Sequence, residues 1–248
     1  MDFTSINTAE TIFGGNNVTT DAFDPSDFNG FAAGDFNTIT TAVLAGVIND
    51  YRAYPTVGAD GSSPLANGQE LDIDFEIGSV FNAPSNGDAS YYFMKVGERN
   101  AVSSSVGFLG HACGGCVSGF TVGNGTLVGS ILTDVISTIS HASGNLAEVA
   151  NLLIGTISHE IGHTLSLNHA GMVANPGDST YSIMGTGAQG MPNNQRILDR
   201  AFSYTDFATL VNVVGTRDVT AVPLPASVYL FGFSMALLGF MQRRKKSA

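Results

Sequence analysis

Residues 156–171, TISHEIGHTLSLNHAG, bring together side chains that can bind a metal ion and move a proton. The segment holds three of the five histidines of the 248-residue chain, His159, His163 and His169, and Glu160 directly follows the first of them. Two histidines four residues apart on a helix lie on nearly the same face, one turn from each other. We therefore predict that His159 and His163 bind one metal ion, and that Glu160 accepts a proton from a water molecule that the ion activates.

His169 can bind the same ion only if the helix ends before it. In an unbroken helix it would lie about 15 Å beyond His159 and on another face. The apolar helical pattern stops at Leu165 to Leu167, and we expect the chain to turn back there. Three histidines would leave one position of a tetrahedral zinc ion open, which is typical of catalytic zinc sites. The alternative is that the histidines lie on an exposed helix face and bind nothing.

Two long helices are predicted from apolar residues that recur with a helical period. The first covers DFNTITTAVLAGVINDYRAYP, where Asp35 can cap the start and Pro55 prevents continuation. The second carries the histidine motif, and Asn145 and Glu148 can form a capping box at its start. Its apolar stripe consists of Leu146, Val149, Ala150, Leu153, Ile154, Ile157, Ile161 and Leu165.

Strands are predicted where apolar and polar residues alternate or where β-branched residues cluster. LDIDFEI, residues 71–77, fits a half-buried strand, and YYFMKV, residues 91–96, fits a second one. LVGSILTDVISTI, residues 127–139, fits either a strand or a short helix. We expect residues 1–34 to form loops with one short strand at most. Together with the two long helices, these strands indicate an α/β fold for residues 35–221.

The first of these strands carries three acidic side chains on one face, namely Asp72, Asp74 and Glu76. Carboxylate oxygens are ligands that calcium prefers, so these residues could hold a calcium ion. The alternative is that they form the solvent-facing side of the sheet.

The composition limits the class of partner. The net charge is −11, and four of the ten basic residues lie together near the end of the chain, at residues 243–246. The rest of the chain is therefore strongly acidic, which argues against nucleic-acid binding because that requires a basic surface. A hydrophobic content of 44% is sufficient for the core of one ordinary domain.

The stretch from His159 to His169, HEIGHTLSLNH, resembles the motif of the metzincin clan of zinc endopeptidases, H-E-x-x-H-x-x-G-x-x-H followed by a methionine turn. The nearest branches are the matrixin and serralysin-like ones. YSIMG, residues 181–185, resembles the methionine turn and would place Met184 beneath the metal. Ser166 stands where the clan has a glycine that ends the helix, usually in a left-handed conformation that costs a serine about 1 kcal/mol.

The resemblance implies a metzincin-like fold, with a twisted mixed sheet, two long helices and a subdomain after the active-site helix that carries the methionine turn. That subdomain should contain a helix at SYTDFATLVNVV, capped by Ser203 with Asp206 at the third position. The implied function is a zinc-dependent endopeptidase acting on protein or peptide substrates, with Glu160 as general base and then as proton donor to the leaving amine. Two alternatives stay open: a metal-binding protein of the extracellular matrix or cell surface without proteolytic activity, and a zinc hydrolase of a non-peptide bond.

Residues 222–248 resemble a PEP-CTERM sorting signal of the VPLPA type. The motif residues are Val222, Pro223, Leu224, Pro225 and Ala226. The uncharged apolar run at residues 226–241 is slightly shorter than the about 17–25 residues that a transmembrane helix needs, and basic residues follow it. The resemblance implies export to the surface or matrix of a Gram-negative bacterium, a transmembrane segment in the tail and processing by an exosortase-type enzyme, although MDFTSINTAE shows no signal peptide. A plain membrane anchor is the alternative.

An exported location favours a disulfide between Cys113 and Cys116 in HACGGC. The bond would close a very short loop, so we expect it to contribute little stability. Because His111 precedes the two cysteines, a second metal site is the alternative.

Overall fold

The chain contains both helices and strands and has a mixed α/β structure, as the sequence predicts. A computed structural model describes residues 1–4, 6–12, 16–52, 63–78, 91–99, 108–118, 126–169, 181–186 and 190–219. Two compact units divide the chain, residues 1–217 and residues 218–248. The strands are β1 (Ile6–Ile12), β2 (Asn16–Ala22), β3 (Gln69–Leu71), β4 (Tyr92–Arg99), β5 (Gly110–Ala112), β6 (Thr126–Leu132) and β7 (Thr216–Asp218). The helices are α1 (Phe36–Arg52), α2 (Thr133–Ile136), α3 (Leu146–Thr164), α4 (Asn193–Arg196) and α5 (Tyr204–Val214).

Five of the strands form one mixed sheet in the order β1-β2-β4-β6-β5. β4 and β6 are parallel, whereas β1 with β2, β2 with β4, and β5 with β6 are antiparallel. The short strand β5 therefore lies at one edge of the sheet, beside β6. β3 and β7 form a separate two-stranded sheet.

The two long helices pack on each other through their apolar faces, and α3 also packs on the five-stranded sheet. Val43 and Val47 of α1, Leu153 and Ile157 of α3, and Val96 of β4 are fully buried members of one hydrophobic core. Burying an aliphatic side chain of this size stabilises the fold by about 1.5–3 kcal/mol. The apolar stripes that predict the helices thus also fix α3 against the sheet.

A buried polar contact joins the two helices one residue before the first histidine of the motif. The Ser158 hydroxyl donates a hydrogen bond of 2.7 Å to the Asp50 carboxylate, and the Tyr51 hydroxyl donates one of 2.9 Å to the Ser158 carbonyl. Burial raises the pKa of Asp50 to about 7, and the bond from Ser158 opposes that rise. The position of Ser158, and with it the start of the histidine motif, is therefore tied to α1.

The strand predicted at residues 71–77 is wrong, because β3 ends at Leu71 and residues 73–78 form no regular structure. The acidic side chain of Asp74 in this segment binds two arginines instead of lining a sheet. Arg217 donates to both carboxylate oxygens of Asp74 at 2.7 Å, and Arg52 donates to the same carboxylate at 2.9 Å. These charge pairs hold the segment against α1 and β7. Within the described part of the chain, the calcium ligands proposed at Asp72, Asp74 and Glu76 do not converge as a group of metal ligands.

The expectation for residues 1–34 is also wrong, because they contain the two strands β1 and β2. β2 pairs with β4, a strand more than 70 residues away, and no local pattern reveals that partner. Phe3, Phe23 and Phe28 are buried, with Phe3 and Phe23 edge to face at a centroid distance of 5.8 Å. Residues 127–139, for which the sequence fits either a strand or a short helix, contain both, because β6 is followed directly by α2.

Two of the predicted helix caps differ in detail. Asp35 lies in a 3-10 turn before α1, and its carboxylate accepts from the Ala32 N–H at 2.9 Å. The Asn145 side chain caps α3 by accepting from the Glu148 N–H at 3.4 Å. The Glu148 carboxylate accepts from the Ala142 N–H at 2.6 Å rather than from Asn145, so only half of the predicted capping box forms. Ser203 caps the start of α5 as predicted, and the Asp206 carboxylate completes a capping box by accepting from the Ser203 N–H.

Candidate metal centre

The C-terminal end of α3 is a tight turn that reverses the chain. The Ser166 N–H donates to the His163 carbonyl at 3.1 Å, and the Leu167 N–H donates to the Gly162 carbonyl at 2.9 Å. Ser166 has φ = 71°, in the left-handed region. These two hydrogen bonds and the left-handed residue between them are those of a Schellman motif. Ser166 thus occupies the conformation that the resemblance assigns to a glycine, and the chain leaves the helix in the direction of His169.

This turn brings the three predicted histidines together. One ligand nitrogen from each of His159, His163 and His169 lies within 4.8 Å of the others. The ring centroids are 4.7 Å apart for His159 and His163, 4.6 Å for His163 and His169, and 5.2 Å for His159 and His169. Within the described residues, this is the one place where three side chains of metal-binding type converge.

Backbone carbonyls fix the orientation of the first two rings. Nδ1 of His159 lies 2.8 Å from the Ile183 carbonyl oxygen, and Nδ1 of His163 lies 2.8 Å from the Leu167 carbonyl oxygen. A carbonyl oxygen only accepts, so each Nδ1 must carry the proton. Burial lowers the pKa of both rings, that of His159 to about 3, and both are therefore neutral at pH 7. A neutral imidazole has one N–H, which leaves both Nε2 atoms without a proton.

The two unprotonated Nε2 atoms face each other at 3.1 Å. Two nitrogen lone pairs at this separation repel each other, whereas a cation between them attracts both. Zinc–nitrogen bonds of about 2.0–2.1 Å in a tetrahedral site place neighbouring ligand atoms about 3.3–3.4 Å apart. A carbonyl that accepts from the far nitrogen is also the usual second partner of a metal-binding histidine. The tautomers and the spacing therefore fit a zinc ion.

The buried side chain of Glu160 lies against the edge strand β5. Its side chain is 7% exposed, and a Cβ added to Gly110 would come within 2.8 Å of its Oε1. A glycine at this position of β5 thus leaves the room that the Glu160 carboxylate occupies. Burial raises the pKa of Glu160 to about 8 in the metal-free chain, and a nearby cation would lower it again.

Residues 181–185 form a turn beneath α3. The Gly185 N–H donates to the Ser182 carbonyl at 3.0 Å, and the Met184 N–H contacts the Ser182 hydroxyl at 3.3 Å. Met184 is fully buried, and a Cβ added to Gly162 would lie only 2.8 Å from its sulfur. The methionine therefore packs directly on the helix turn that carries His163. The turn also supplies the Ile183 carbonyl that orients His159.

Cys113 and Cys116 are joined by a disulfide, and both are buried. The loop that they close caps the end of α3, because the Gly115 N–H donates to the His163 carbonyl at 2.8 Å and the Val117 N–H to the Thr164 carbonyl at 3.1 Å. Carbonyls at the end of a helix need such donors from outside it. His111 lies on β5 against Phe108, at a ring-centroid distance of 5.6 Å, and belongs to no group of three metal ligands among the described residues.

Sequence reasoning missed Arg200. This side chain is 6% exposed and donates to the carbonyls of Ser182 and Ile183, at 3.3 and 3.4 Å. Its signal in the sequence is weak: Arg196 and Arg200 are the basic residues between the 181–185 turn and α5. Ser182 is held from the other side as well, because its hydroxyl contacts the Asp206 carboxylate at 3.2 Å.

The sorting motif and the apolar run at residues 222–248 lie outside the described residues. In the part of the chain that is described, none of the helices has the length and apolar character needed to cross a bilayer. Comparison of the chain with models of known families, with curated proteins and with solved structures gave no match.

Proposed function

We propose that this protein is a zinc-dependent endopeptidase with a metzincin-like fold, in which His159, His163 and His169 bind one zinc ion. The observation that carries the proposal is the pair of Nε2 atoms 3.1 Å apart, on two rings whose Nδ1 atoms each lie 2.8 Å from a backbone carbonyl oxygen, which assigns the proton to Nδ1. This arrangement is unfavourable without a cation and favourable with one. The helix end at Ser166 and the return of His169 support a third nitrogen ligand.

The residues of the chain would divide the reaction between them. A zinc ion held by three histidines supplies a Lewis acid that polarises a substrate carbonyl and lowers the pKa of water towards about 7. Glu160 follows His159 on the next position of α3 and acts as the general base, taking the proton of the attacking water. It then delivers that proton to the nitrogen of the leaving amine, so that the carboxylate is restored. The buried position of Glu160 limits its contact with bulk water and favours its holding a proton between the two steps.

Two other functions compete with this one. A metal-binding protein of the cell surface or matrix would need the histidines but would have no use for Glu160. Burying a carboxylate costs free energy unless the group is paired or functional, and Glu160 is buried directly after His159 on α3. A zinc hydrolase of a non-peptide bond would use the same four residues, and only its substrate would differ.

The export of the protein is a proposal from the resemblance of residues 222–248 to a sorting signal. On this view the catalytic domain acts at the surface or in the matrix of a Gram-negative bacterium, and an exosortase-type enzyme processes the tail. The disulfide between Cys113 and Cys116 supports a location outside the reducing cytoplasm.

The decisive experiment combines metal analysis with a protease assay. We expect the purified protein to contain one zinc per chain, to digest casein, and to lose this activity when a chelator removes the metal. Glu160→Gln should keep the zinc and lose at least about 100-fold in turnover, because the general base is removed at constant size. Glu148→Gln, a change of the same type at the other end of α3, is the matched control and should keep both zinc and activity.

Each outcome separates the candidates. Near-normal turnover in Glu160→Gln would remove Glu160 from the mechanism, and activity that survives the chelator would exclude metal catalysis. A protein that holds zinc but digests no peptide substrate would favour one of the two alternatives. His169→Ala should lose zinc. Unchanged zinc content in that variant would contradict the three-histidine site.

A further inference from the structure

Arg200 lies between α3 and the turn formed by residues 181–185. Its Nη1 donates to the carbonyls of Ser182 and Ile183, at 3.3 and 3.4 Å. Its Nη2 lies so close to Gly155 of α3 that an added Cβ would overlap it. Glycine inside a helix costs about 0.5–1 kcal/mol relative to alanine, and at this position it leaves room for the guanidinium.

The Ile183 carbonyl receives two donors. One is Nη1 of Arg200, and the other is Nδ1 of His159 at 2.8 Å. A carbonyl oxygen has two lone pairs and can accept both. Arg200 therefore holds in place the group that selects the tautomer of His159 and the direction of its Nε2.

Arg200 is suited to this task because its charge is retained and its geometry is rigid. Burial and the nearby charge of Arg196 lower its pKa to about 10, which leaves the guanidinium protonated at neutral pH. Charge-assisted hydrogen bonds are stronger than neutral ones, and a planar guanidinium can serve two carbonyls from one position. A lysine would offer the same charge from a single point.

We propose that Arg200 is a positioning residue for the metal centre, which clamps the 181–185 turn to α3 and thereby sets the tautomer and orientation of His159. The inference rests on the proposed zinc site. It goes beyond that site by assigning a function to a side chain that touches neither the metal nor the substrate.

The test compares zinc affinity in Arg200→Met, Arg200→Lys and Asn151→Ala. Residues that orient metal ligands typically contribute 10–100-fold to metal affinity, so we expect a fall of about 10–100-fold in Arg200→Met. Arg200→Lys keeps the charge and should still bind zinc more weakly than the wild type. Asn151→Ala is the matched control. Asn151 on α3 donates a hydrogen bond of 3.0 Å to the Ile197 carbonyl, which lies close to Arg200 in the chain but outside the 181–185 turn. Competition against a chromophoric zinc chelator measures the zinc affinity of the wild type and the three variants.

A second measurement reads the orientation of the ring without metal. In the metal-free wild type, ¹⁵N NMR of the histidine rings should show both His159 and His163 protonated at Nδ1. In the Arg200 variants His159 should lose this single tautomer. His163 should keep it, because its Nδ1 lies against the Leu167 carbonyl, whereas Arg200 donates to the carbonyls of Ser182 and Ile183. His163 is thus an internal control for a merely structural defect.

The outcomes are distinguishable. Weaker zinc binding in both Arg200 variants with an unchanged Asn151→Ala, and a tautomer change confined to His159, would support the proposal. Zinc affinity and His159 tautomer equal to the wild type in Arg200→Lys would overturn it, and this variant decides the question if Arg200→Met does not fold. Absence of zinc binding in the wild type would instead overturn the metal site itself.

Discussion

Ser166 allows the free energy of the left-handed turn to be measured directly. A residue with a Cβ in the left-handed region is destabilised by about 1–2 kcal/mol, and Ser166 has φ = 71°. Glycine avoids that cost, but its greater freedom in the unfolded chain lowers the stability of the fold by about 0.4–1 kcal/mol. Replacing Ser166 with glycine also removes the hydrogen bond between its hydroxyl and that of Ser118, which is exposed and lies at the low end of about 0.5–1.5 kcal/mol.

These magnitudes give a prediction for a pair of variants. Ser166→Gly should lie between about 0.5 kcal/mol less stable and about 1 kcal/mol more stable than the wild type, because a strain relief of about 1–2 kcal/mol is offset by about 0.4–1 kcal/mol of unfolded-state freedom and about 0.5 kcal/mol for the exposed hydrogen bond. Ser166→Ala loses the same hydroxyl but keeps the Cβ, so it should be less stable than the wild type. The difference between the two variants, about 1 kcal/mol in favour of glycine, isolates the backbone conformation from the side-chain contact.

Chemical denaturation of the metal-free proteins measures this difference without a contribution from metal binding. Zinc affinity provides the second readout, and it should be unchanged in Ser166→Gly because the path of the chain to His169 is the same. The reasoning would be refuted if the glycine and alanine variants were equally stable, or if the glycine variant were less stable than the alanine variant. Residue 166 would then be helical, and the approach of His169 to the other two histidines would need another explanation.

Three further predictions concern other parts of the chain. Reduction of the Cys113–Cys116 disulfide should destabilise the metal-free protein by at most about 2 kcal/mol, because the loop it closes is short. Reduction should also speed the loss of zinc to a chelator. An unchanged rate of zinc loss would mean that the loop does not support α3. Burial raises the folded-state pKa of Asp50 from 3.8 to about 7, so its protonated form stabilises the fold below about pH 4 and that stabilisation is lost as the pH rises towards 7. The free energy of unfolding should fall over this range by up to about 1.4 kcal/mol per pH unit relative to Asp50→Asn, and parallel pH profiles of the two proteins would contradict this. A chain ending at residue 221 should be soluble, fold and keep full protease activity, whereas unfolding or inactivation would show that residues 222–248 belong to the core.

The sequence was sufficient for features whose cause is local. The four-residue spacing places His159 and His163 on one face because the geometry of a helix is the same in every protein. The limits of α1 and α3 follow from apolar periodicity, and the end of α3 agrees with the end of its apolar stripe. The same local reasoning fails at residues 71–77, where alternation indicates a strand. β3 ends at Leu71, and Asp74 instead forms an ion pair with Arg217, a residue distant in the sequence.

The tertiary structure alone decided how the candidate site is oriented. Nothing in the sequence near His159 indicates that a carbonyl 24 residues away selects its tautomer, or that Arg200, 17 residues beyond that carbonyl, holds it in place. The same is true of the Cys113–Cys116 loop, whose neighbouring N–H groups reach the last carbonyls of α3. Residue types and spacing determine which ligands a chain can offer, because those depend on the chemistry of side chains and the period of a helix. The direction in which each ligand points depends on contacts between segments distant in the chain, and these exist only once the core has packed.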